Sequence, residues 1–376
     1  MAKASLGQNI KKPNVAGQFY PASAKELSVQ IDRLMNQSQQ QSFSRFVPIL
    51  IAPHAGYVYS GGVAAYSFKA VSRHTYKTVV ILAPSHFYGF DGVSIWKDGM
   101  FETPLGLIPI DEDMTAKLVG ASPKFIFDKK AFDQEHSLEV EIPFLQKTMN
   151  DFKIVPVVMG QASLQTLKEF AAKLSEIIGT REDVLIVVST DFSHYHDYET
   201  AKQMDERAVN AILQLDAEQI YRSCVDRQNI EMCGCIPVTA AILYAREKGF
   251  QKVEKLYYAN SGDVTGDLSR VVGYAALAIY GDEEKLLTKE MDGVQSLSNA
   301  QKKRLLDIAR ETIREYVQNG IVYQTNESDP RLNAVEGAFV TIHKYGELRG
   351  CIGNIIGRGP LYVPLSNMAV AASSED

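Results

Sequence analysis

Three apolar, strand-like runs of the sequence end in side chains that can do chemistry. His54 follows the run PILIA, His86 follows TVVILA, and Asp191 and His194 follow VLIVVST. An imidazole can ligate a transition metal or act as a general acid or base near neutral pH. Ligands of open α/β sheets bind beyond the carboxyl ends of the strands. The repeated placement therefore predicts one polar site that these four residues share.

A sulfur donor is available to the same site. Cys233-Gly234-Cys235 lies directly before a helix that is predicted to open near Pro237. A helix N-terminus stabilises a thiolate and lowers the thiol pKa. A thiolate with two imidazoles suits zinc, copper or iron. Because two cysteines separated by one residue can equally be small buried side chains, both interpretations stay open on local sequence alone.

The segment QEHSLEVE is a second dense group of polar residues. Glu135, His136 and Glu139 can supply acid–base capacity or hydrogen bonds to a metal ligand. The alternative is an amphipathic helix with solvated carboxylates and with Leu138, Ile142 and Leu145 facing inward. We favour a functional role for His136 as an acid–base group.

The elements that position these residues alternate between strands and helices. Short β-branched runs of this kind suit strands that are covered on both faces, as in a parallel sheet. Leu164, Leu167, Phe170 and Leu174 form one face of a helix that ends at Gly179. The alternation predicts an α/β fold with a mainly parallel central sheet flanked by helices. Pro156 predicts that its run is an edge strand or a strand start, and residues 91–110 are expected to form an inserted hairpin.

The length of 376 residues suggests two domains. We assign residues 1–284 to the α/β domain and the charged stretch 285–296 to a linker. Residues 297–376 form a second, small α+β domain: a capping box precedes a helix, and an alternating run follows that is typical of a hairpin. We expect this second domain to be truncated.

Composition excludes several classes of protein. With 45% hydrophobic residues, 22% charged residues and a net charge of −6, the chain is an ordinary globular protein without a basic stripe for nucleic acid. No apolar run has the length of a membrane span, and the first residues do not resemble a secretory signal. Four cysteines do not make a disulfide scaffold. We therefore expect a cytoplasmic protein with reduced thiols, which binds neither nucleic acid nor membranes.

The motifs taken together resemble the Memo family, known in prokaryotes as AmmeMemoRadiSam system protein B. The matching segments, in family order, are VAGQFYP, PHAGYVYSG, APSHF, EHSLEVEIPFL, STDFSH, MCGCIPV and NSGDV. The Memo fold is similar to that of class III extradiol dioxygenases. The resemblance thus implies a dioxygenase-like α/β fold.

The resemblance also implies site residues. His54, His86 and Cys233 match a metal site, Asp191 and His194 match neighbouring site residues, and His136 matches a polar pocket residue. Many family members have Arg-His where this chain has Cys235-Ile236, which adds a thiol and removes one imidazole.

The second unit resembles the AMME-syndrome candidate-region domain through its LRGCIG segment, and it covers the N-terminal part of that domain. Arg349 in this segment is either an exposed anion contact or part of an ordinary hairpin. Some relatives carry both domains on one chain and are named together with a radical-SAM protein. That association implies a radical-SAM partner.

Two functions fit these observations. The first is a metal-dependent oxidoreductase in which His54, His86 and Cys233 hold Fe(II), with His136, His194 and Asp191 as catalytic groups and a small molecule as substrate. Copper or zinc is the alternative metal, because a thiolate in place of a carboxylate favours both. The second is a non-catalytic module that binds a metal or a peptide and acts with the radical-SAM partner.

Overall fold

The computed structural model describes residues 9–226, 230–281, 297–345, 347–354, 357 and 359–374. The chain forms two compact units, residues 1–283 and 284–376, and each is described by itself. The predicted linker 285–296 lies outside the described residues. Within the described ranges, no helix combines the length and the apolar character that crossing a bilayer requires.

The strands of the first unit form one large sheet and one small sheet. In chain order they are β1 (Ile10–Lys11), β2 (Ile49–Ala52), β3 (Thr78–Pro84), β4 (Val93–Ile95), β5 (Met100–Thr103), β6 (Gly106–Pro109), β7 (Phe125–Ile126), β8 (Lys153–Met159), β9 (Val184–Ser189), β10 (His194–His196), β11 (Lys252–Asn260) and β12 (Val271–Tyr280). The large sheet has the order β10-β12-β2-β9-β3-β8-β4-β7, with β11 also paired to β12.

Helices occupy most connections between these strands. They are α1 (Ala24–Gln37), α2 (Gly61–Ala70), α3 (Glu112–Leu118), α4 (Ile142–Thr148), α5 (Leu164–Ile178), α6 (Tyr198–Leu213), α7 (Ala217–Asp226), α8 (Cys235–Lys248) and α9 (Ser261–Thr265), with short 3₁₀ turns at Lys129–Ala131 and Glu139–Glu141. Helix α2 packs against β2 and β12, and α8 packs against β9 and β3.

The centre of the large sheet is parallel. Strands β2, β9, β3 and β8 pair in parallel, whereas β12 and β4 extend this core with antiparallel pairings. Every residue of β2, β3 and β9 is buried, as expected for strands that are covered on both faces. The predicted α/β fold with a helix-flanked central sheet is confirmed.

Pro156 lies in the interior of the sheet, so the prediction of an edge strand or strand start is wrong. Strand β8 pairs with both β3 and β4, and Pro156 is opposite Ile81 of β3. The carbonyl of Pro156 accepts from the backbone N–H of Trp96, just beyond the end of the three-residue strand β4. The proline nitrogen faces the same side, where β4 has ended and no ladder donor is needed.

The hairpin predicted for residues 91–110 is shorter than expected. Strands β5 and β6 form an antiparallel hairpin, and β1 adds to it in parallel. Strand β4 instead joins the large sheet beside β8. Residues 93–95 are fully buried there, which explains why they leave the hairpin for the main core.

In the residues of the second unit that the structure describes, two helices pack with a hairpin. Helix α10 (Asn299–Asn319) begins at a capping box formed by Ser298 and Gln301, as predicted. Strands β13 (Ala338–Lys344) and β14 (Glu347–Asn354) pair antiparallel, and helix α11 (Tyr362–Ser374) follows. Helix α11 packs against α10 and against both strands.

Candidate metal centre

Two neighbouring parallel strands bring His54 and Asp191 together. Ala52 of β2 is opposite Ser189 of β9, so the residues that follow the two strands lie side by side. The backbone N–H of His54 donates to Asp191 Oδ1 at 2.8 Å. The ring of His54 is 2% exposed, which places it inside the protein rather than at its surface.

His86 follows β3, the strand that pairs with β9 on the side away from β2. Glu135 accepts from the backbone N–H of His86 at 2.6 Å and lies 2.9 Å from its Nδ1. Glu135 also accepts from the backbone N–H groups of His136 and Ser137. Burial alone raises the pKa of Glu135, but the hydrogen bonds from His86 outweigh it and lower the pKa to about 2. The carboxylate therefore stays ionised and fixes the orientation of His86.

His136 joins these two residues in a three-histidine cluster. One ring nitrogen from each of His54, His86 and His136 can be chosen so that all three atoms lie within 4.8 Å of one another. The ring centroids of His86 and His136 are 4.8 Å apart, and each lies 5.2–5.5 Å from that of His54. The structure thus gathers His136, which we expected to act as an acid–base group, with the expected metal ligands His54 and His86.

The alternative interpretation of the segment around His136 is wrong about its carboxylates and right about its apolar face. Glu135, Glu139 and Glu141 are 4%, 4% and 0% exposed, so none of these carboxyls is solvated. A 3₁₀ turn at Glu139–Glu141 precedes α4 and turns the carboxyls inward. Leu138, Ile142 and Leu145 are buried as expected.

Cys233 lies beside the imidazole of His54, next to Nε2. Its Sγ is 3.2 Å from His54 Nε2 and accepts from the backbone N–H of Asp191 at 3.2 Å. Cys233 is not a member of the three-histidine group. Its thiol is available as one further donor to a metal at His54, because it lies next to Nε2.

The expected lowering of the Cys233 thiol pKa does not occur. The helix begins at Cys235 with Gly234 as its cap, two residues beyond Cys233. Burial, reinforced by Asp191, raises the thiol pKa instead. Cys233 is not disulfide-bonded, whereas Cys235 is. The expectation that every cysteine is reduced is therefore wrong for Cys235, which offers no thiolate to the site.

Two histidines of the cluster, His54 and His136, are poised as neutral ligands. Burial, together with the neighbouring imidazoles, holds the pKa of His54 well below its usual value. Burial also lowers the pKa of His136 to about 4, although Glu135 opposes the shift. A neutral imidazole keeps a lone pair for a metal ion, so these two rings are available as ligands at neutral pH.

The other residues that we expected to be catalytic line a cavity beside the cluster. Asp191 and His194 face a space of about 490 Å³, which also borders His136. Burial raises the pKa of Asp191 to about 7, although backbone N–H groups of His54 and Ala55 oppose the shift. Burial lowers the pKa of His194, although Glu231 opposes it. The cavity has the size of a small-molecule site and contains groups that can exchange protons near neutral pH.

Sequence reasoning missed two residues behind His54. Ser189 Oγ lies 2.7 Å from His54 Nδ1, and Glu141 Oε1 lies 2.8 Å from the same hydroxyl. The only sequence signal for Ser189 is its position as the last residue of a β-branched run, opposite the end of β2. Glu141 belongs to the polar segment QEHSLEVE, but the sequence gives it no role of its own, and only its burial in the structure brings it to the site.

A comparison with protein families identifies the first unit. The family model described as Memo-like protein matches residues 11–278. The chain belongs to the Memo-like family.

Several curated relatives carry the same assignment. MEMO1 family proteins of Methanothermobacter thermautotrophicus and Nitrosopumilus maritimus are 38% and 36% identical to this chain over 277 residues each. These alignments cover 72% and 71% of this chain, and 100% and 98% of the relatives. A MEMO1 family protein of Thermotoga neapolitana is 38% identical over 276 residues. This alignment covers 70% of this chain and 98% of the length of the relative. The AMMECR1 family model matches residues 306–376 in the second unit.

The donor set of this Memo-like unit fits a transition metal. Imidazole nitrogens suit zinc, copper, iron and nickel, and a thiol is available beside them. Metal-binding histidines almost always use their other ring nitrogen for a hydrogen bond within the protein. His54 and His86 both do so, through Ser189 and Glu135. The three-histidine cluster is therefore compatible with metal binding.

Proposed function

We propose that the protein binds a transition metal at His54, His86 and His136 and uses it for oxidoreductase chemistry on a small molecule. The observation that carries the proposal is the convergence of these three ring nitrogens within 4.8 Å, with His54 buried, His136 half-buried and His86 exposed. Bound Fe(II), the metal we favour, would supply the redox capacity. Cys233 is the candidate fourth donor, and its thiol would favour copper or zinc in place of iron.

The protein's own residues would provide the remaining functions. Glu135 and Ser189 orient the imidazoles, and the cavity beside His136 would hold the substrate. Asp191 and His194 lie at that cavity with shifted pKa values, so they are the candidates for moving protons to or from a bound molecule. Ring cleavage in particular does not follow, because fold similarity does not carry the reaction.

Metal binding is tested on the full-length chain. Metal-free protein is titrated anaerobically with Fe(II) and with Zn(II), and bound metal is measured by elemental analysis after removal of the free ion. We expect one ion per chain in the wild type and loss of binding in His86→Ala. His74→Ala is the matched control, because the ring of His74 contacts Phe43 and Tyr76, which lie outside the cluster. Equal metal content in the wild type and His86→Ala would refute the site.

Turnover is tested separately. The Fe(II)-loaded protein is given catechols and small thiols, and O₂ uptake is compared with that of His86→Ala. Uptake above this control supports the oxidoreductase. Metal retained equally by Cys233→Ser and the wild type would remove the thiol from the ligand set without affecting the histidines.

A non-catalytic function is the second candidate, and exposed aromatic rings favour it. Phe87 and Tyr195 are 60% and 63% exposed, and the ring of Phe87 lies 5.8 Å from that of His136. Exposed rings beside a polar pocket suit the binding of a peptide. In this case the Memo-like unit would bind metal and a peptide, and would act with the radical-SAM partner that the domain combination suggests. Tight metal binding without any O₂ uptake would favour this function.

A further inference from the structure

We propose that Glu141 is a neutral carboxylic acid that acts through the Ser189 hydroxyl to hold His54 in the tautomer protonated at Nδ1. Glu141 is thus a positioning residue for a histidine that it does not touch. The consequence of this tautomer for metal binding rests on the function proposed above. The tautomer itself does not, because it is a property of the protein's own hydrogen bonds.

Three groups surround the single hydroxyl of Ser189. Its Oγ lies 2.7 Å from the carbonyl oxygen of Ser137, 2.7 Å from His54 Nδ1 and 2.8 Å from Glu141 Oε1. All three distances are those of hydrogen bonds. Since a hydroxyl has one hydrogen and two lone pairs, it can donate once and accept twice.

The carbonyl of Ser137 decides how the hydrogens are arranged. A backbone carbonyl only accepts, so Ser189 must donate its one hydrogen to Ser137. Ser189 must then accept from the other two groups. His54 can donate only if its proton is on Nδ1, and Glu141 can donate only if its carboxyl is protonated. This arrangement satisfies all three contacts at once.

An ionised Glu141 leaves one contact unsatisfied. It would compete with the Ser137 carbonyl for the same hydroxyl hydrogen, and two oxygens would then face each other below 2.9 Å without a hydrogen between them. A buried acceptor left unpaired in this way is costly. The contact geometry therefore favours the protonated acid.

The surroundings of Glu141 point the same way. Its side chain is fully buried, and its Oε2 has no hydrogen-bond partner among the residues described. Asp191 and Tyr57 interact electrostatically with Glu141, and neither carries a positive charge. Burial raises the pKa of Glu141 well above its usual value, and Asp191 adds to the shift, although Ser189 opposes it.

The consequence for the site is a defined ligand atom. With the proton of His54 on Nδ1, the lone pair is on Nε2, which is the atom 3.2 Å from Cys233 Sγ. His86 instead has an ionised partner, Glu135, at its Nδ1. The two histidines are therefore oriented by different means, and only the partner of His86 adds a negative charge.

Spectroscopy of the metal-free, full-length protein tests the assignment directly. Nitrogen chemical shifts of His54 report the tautomer, and an infrared difference spectrum of wild type minus Glu141→Gln reports the state of the carboxyl. We expect an Nδ1–H tautomer and a band of a protonated carboxylic acid. An Nε2–H tautomer, or a carboxylate band in place of the acid band, would overturn the proposal.

Variants separate this role from a merely structural one. Glu141→Gln keeps a donor toward Ser189, so we expect the wild-type tautomer of His54. Ser189→Ala removes the acceptor at Nδ1, so we expect a mixture of tautomers. Loss of the Nδ1–H tautomer in Glu141→Gln would contradict the proposed donor role, and this outcome remains decisive even if Ser189→Ala does not fold.

Glu139 provides a matched control in the same turn. Its carboxyl accepts from the backbone N–H groups of Asn14 and Val15 and from the hydroxyl of Tyr20, and all three are donors. An amide at this position would place its N–H₂ against a donor. We expect Glu139→Gln to lower the melting temperature and Glu141→Gln to leave it nearly unchanged near pH 5. Equal losses in both variants would show that Glu141 is also an acceptor.

Cobalt(II) titration then connects the tautomer to the proposed metal site. We expect the affinity of Glu141→Gln for Co(II) to match that of the wild type and that of Ser189→Ala to be weaker by roughly 10–100-fold. A weaker affinity in Glu141→Gln would contradict the assignment. If the wild type itself binds no Co(II), the proposed function fails, while the tautomer and the infrared band still decide the role of Glu141.

Discussion

At the scale of single residues, Glu135 links two members of the histidine cluster. It holds the backbone and Nδ1 of His86 and the backbone N–H of His136 with one carboxylate. An amide cannot accept from all of these donors, because its nitrogen is itself a donor. The orientation of His86 therefore depends on the charge and the acceptor capacity of this one side chain.

We expect Glu135→Gln to weaken metal binding by about 10–100-fold, the usual cost of losing such a partner. The dissociation constant for Co(II), measured by titration of metal-free protein, checks this. Glu231→Gln is the control, because Glu231 contacts His194 and His196 rather than the cluster. An unchanged dissociation constant in Glu135→Gln would show that His86 does not need this carboxylate to bind metal.

The pH dependence of stability reports the proton on Glu141. Burial raises its pKa in the folded state, so above the unfolded-state pKa the folded chain binds one more proton than the unfolded chain. The stability that Glu141 contributes is then complete at low pH and falls as pH rises. We compare the free energy of unfolding of the wild type with that of Glu141→Gln. We expect the difference, wild type minus variant, to decrease by about 1.4 kcal/mol per pH unit above roughly pH 4.5. Denaturant unfolding of both proteins between pH 5 and pH 8 measures this difference, and a constant difference would contradict a neutral Glu141.

The sequence predicts which histidines converge better than it predicts their hydrogen-bond partners. His54 and His86 could be assigned because each directly follows a strand-like run. The proximity of His136 to them could not be predicted, because the segment before α4 buries Glu135 and forms a 3₁₀ turn at Glu139–Glu141, and helical periodicity gives no sign of either. Ser189 and Glu141 were missed because their role follows from three hydrogen-bond distances around one hydroxyl.

At the scale of elements, the contact between the end of β9 and the start of α8 positions the thiol of Cys233. Gly234 caps α8 and packs against the end of β9, where a Cβ would lie 2.5 Å from the carbonyl oxygen of Ser189 and from Thr190 Cβ. Real Cβ atoms do not approach backbone this closely. Gly234 is therefore required for Cys233 to lie beside His54.

We expect Gly234→Ala to destabilise the protein by about 1–3 kcal/mol, as overpacking usually does, and to displace Cys233. Denaturant unfolding measures the first effect, and the alkylation rate of Cys233, followed by peptide mass spectrometry, measures the second. Gly62→Ala is the control, because a Cβ on this exposed residue of α2 meets nothing within 4 Å. Wild-type stability and alkylation in Gly234→Ala would show that the backbone adjusts without cost.

Strands could be predicted from the sequence where every residue of the strand is buried. They were predicted less well where packing against a neighbouring strand sets their ends. The four central parallel strands were recognised from their β-branched runs. Pro156 misled the prediction because a proline is tolerated inside a sheet where the neighbouring strand has already ended. The length of β4, which sets that end, depends on its packing beside β8 and not on local sequence.

At the scale of the whole molecule, the candidate site belongs to one unit. His54, His86, His136 and Cys233 all lie within residues 1–283. The curated relatives align with this part of the chain over 97–100% of their own length. A protein with only the Memo-like unit is therefore a natural arrangement, and the site should not need the second unit.

We expect a chain ending at residue 283 to unfold cooperatively and to bind one Co(II) with the dissociation constant of the full-length protein, because every proposed ligand and both orienting partners remain. Calorimetry of unfolding and Co(II) titration check the two expectations, and His86→Ala in the shortened chain controls for adventitious binding. If the shortened chain folds but binds Co(II) more weakly, the expectation that residues 1–283 suffice for the site is wrong.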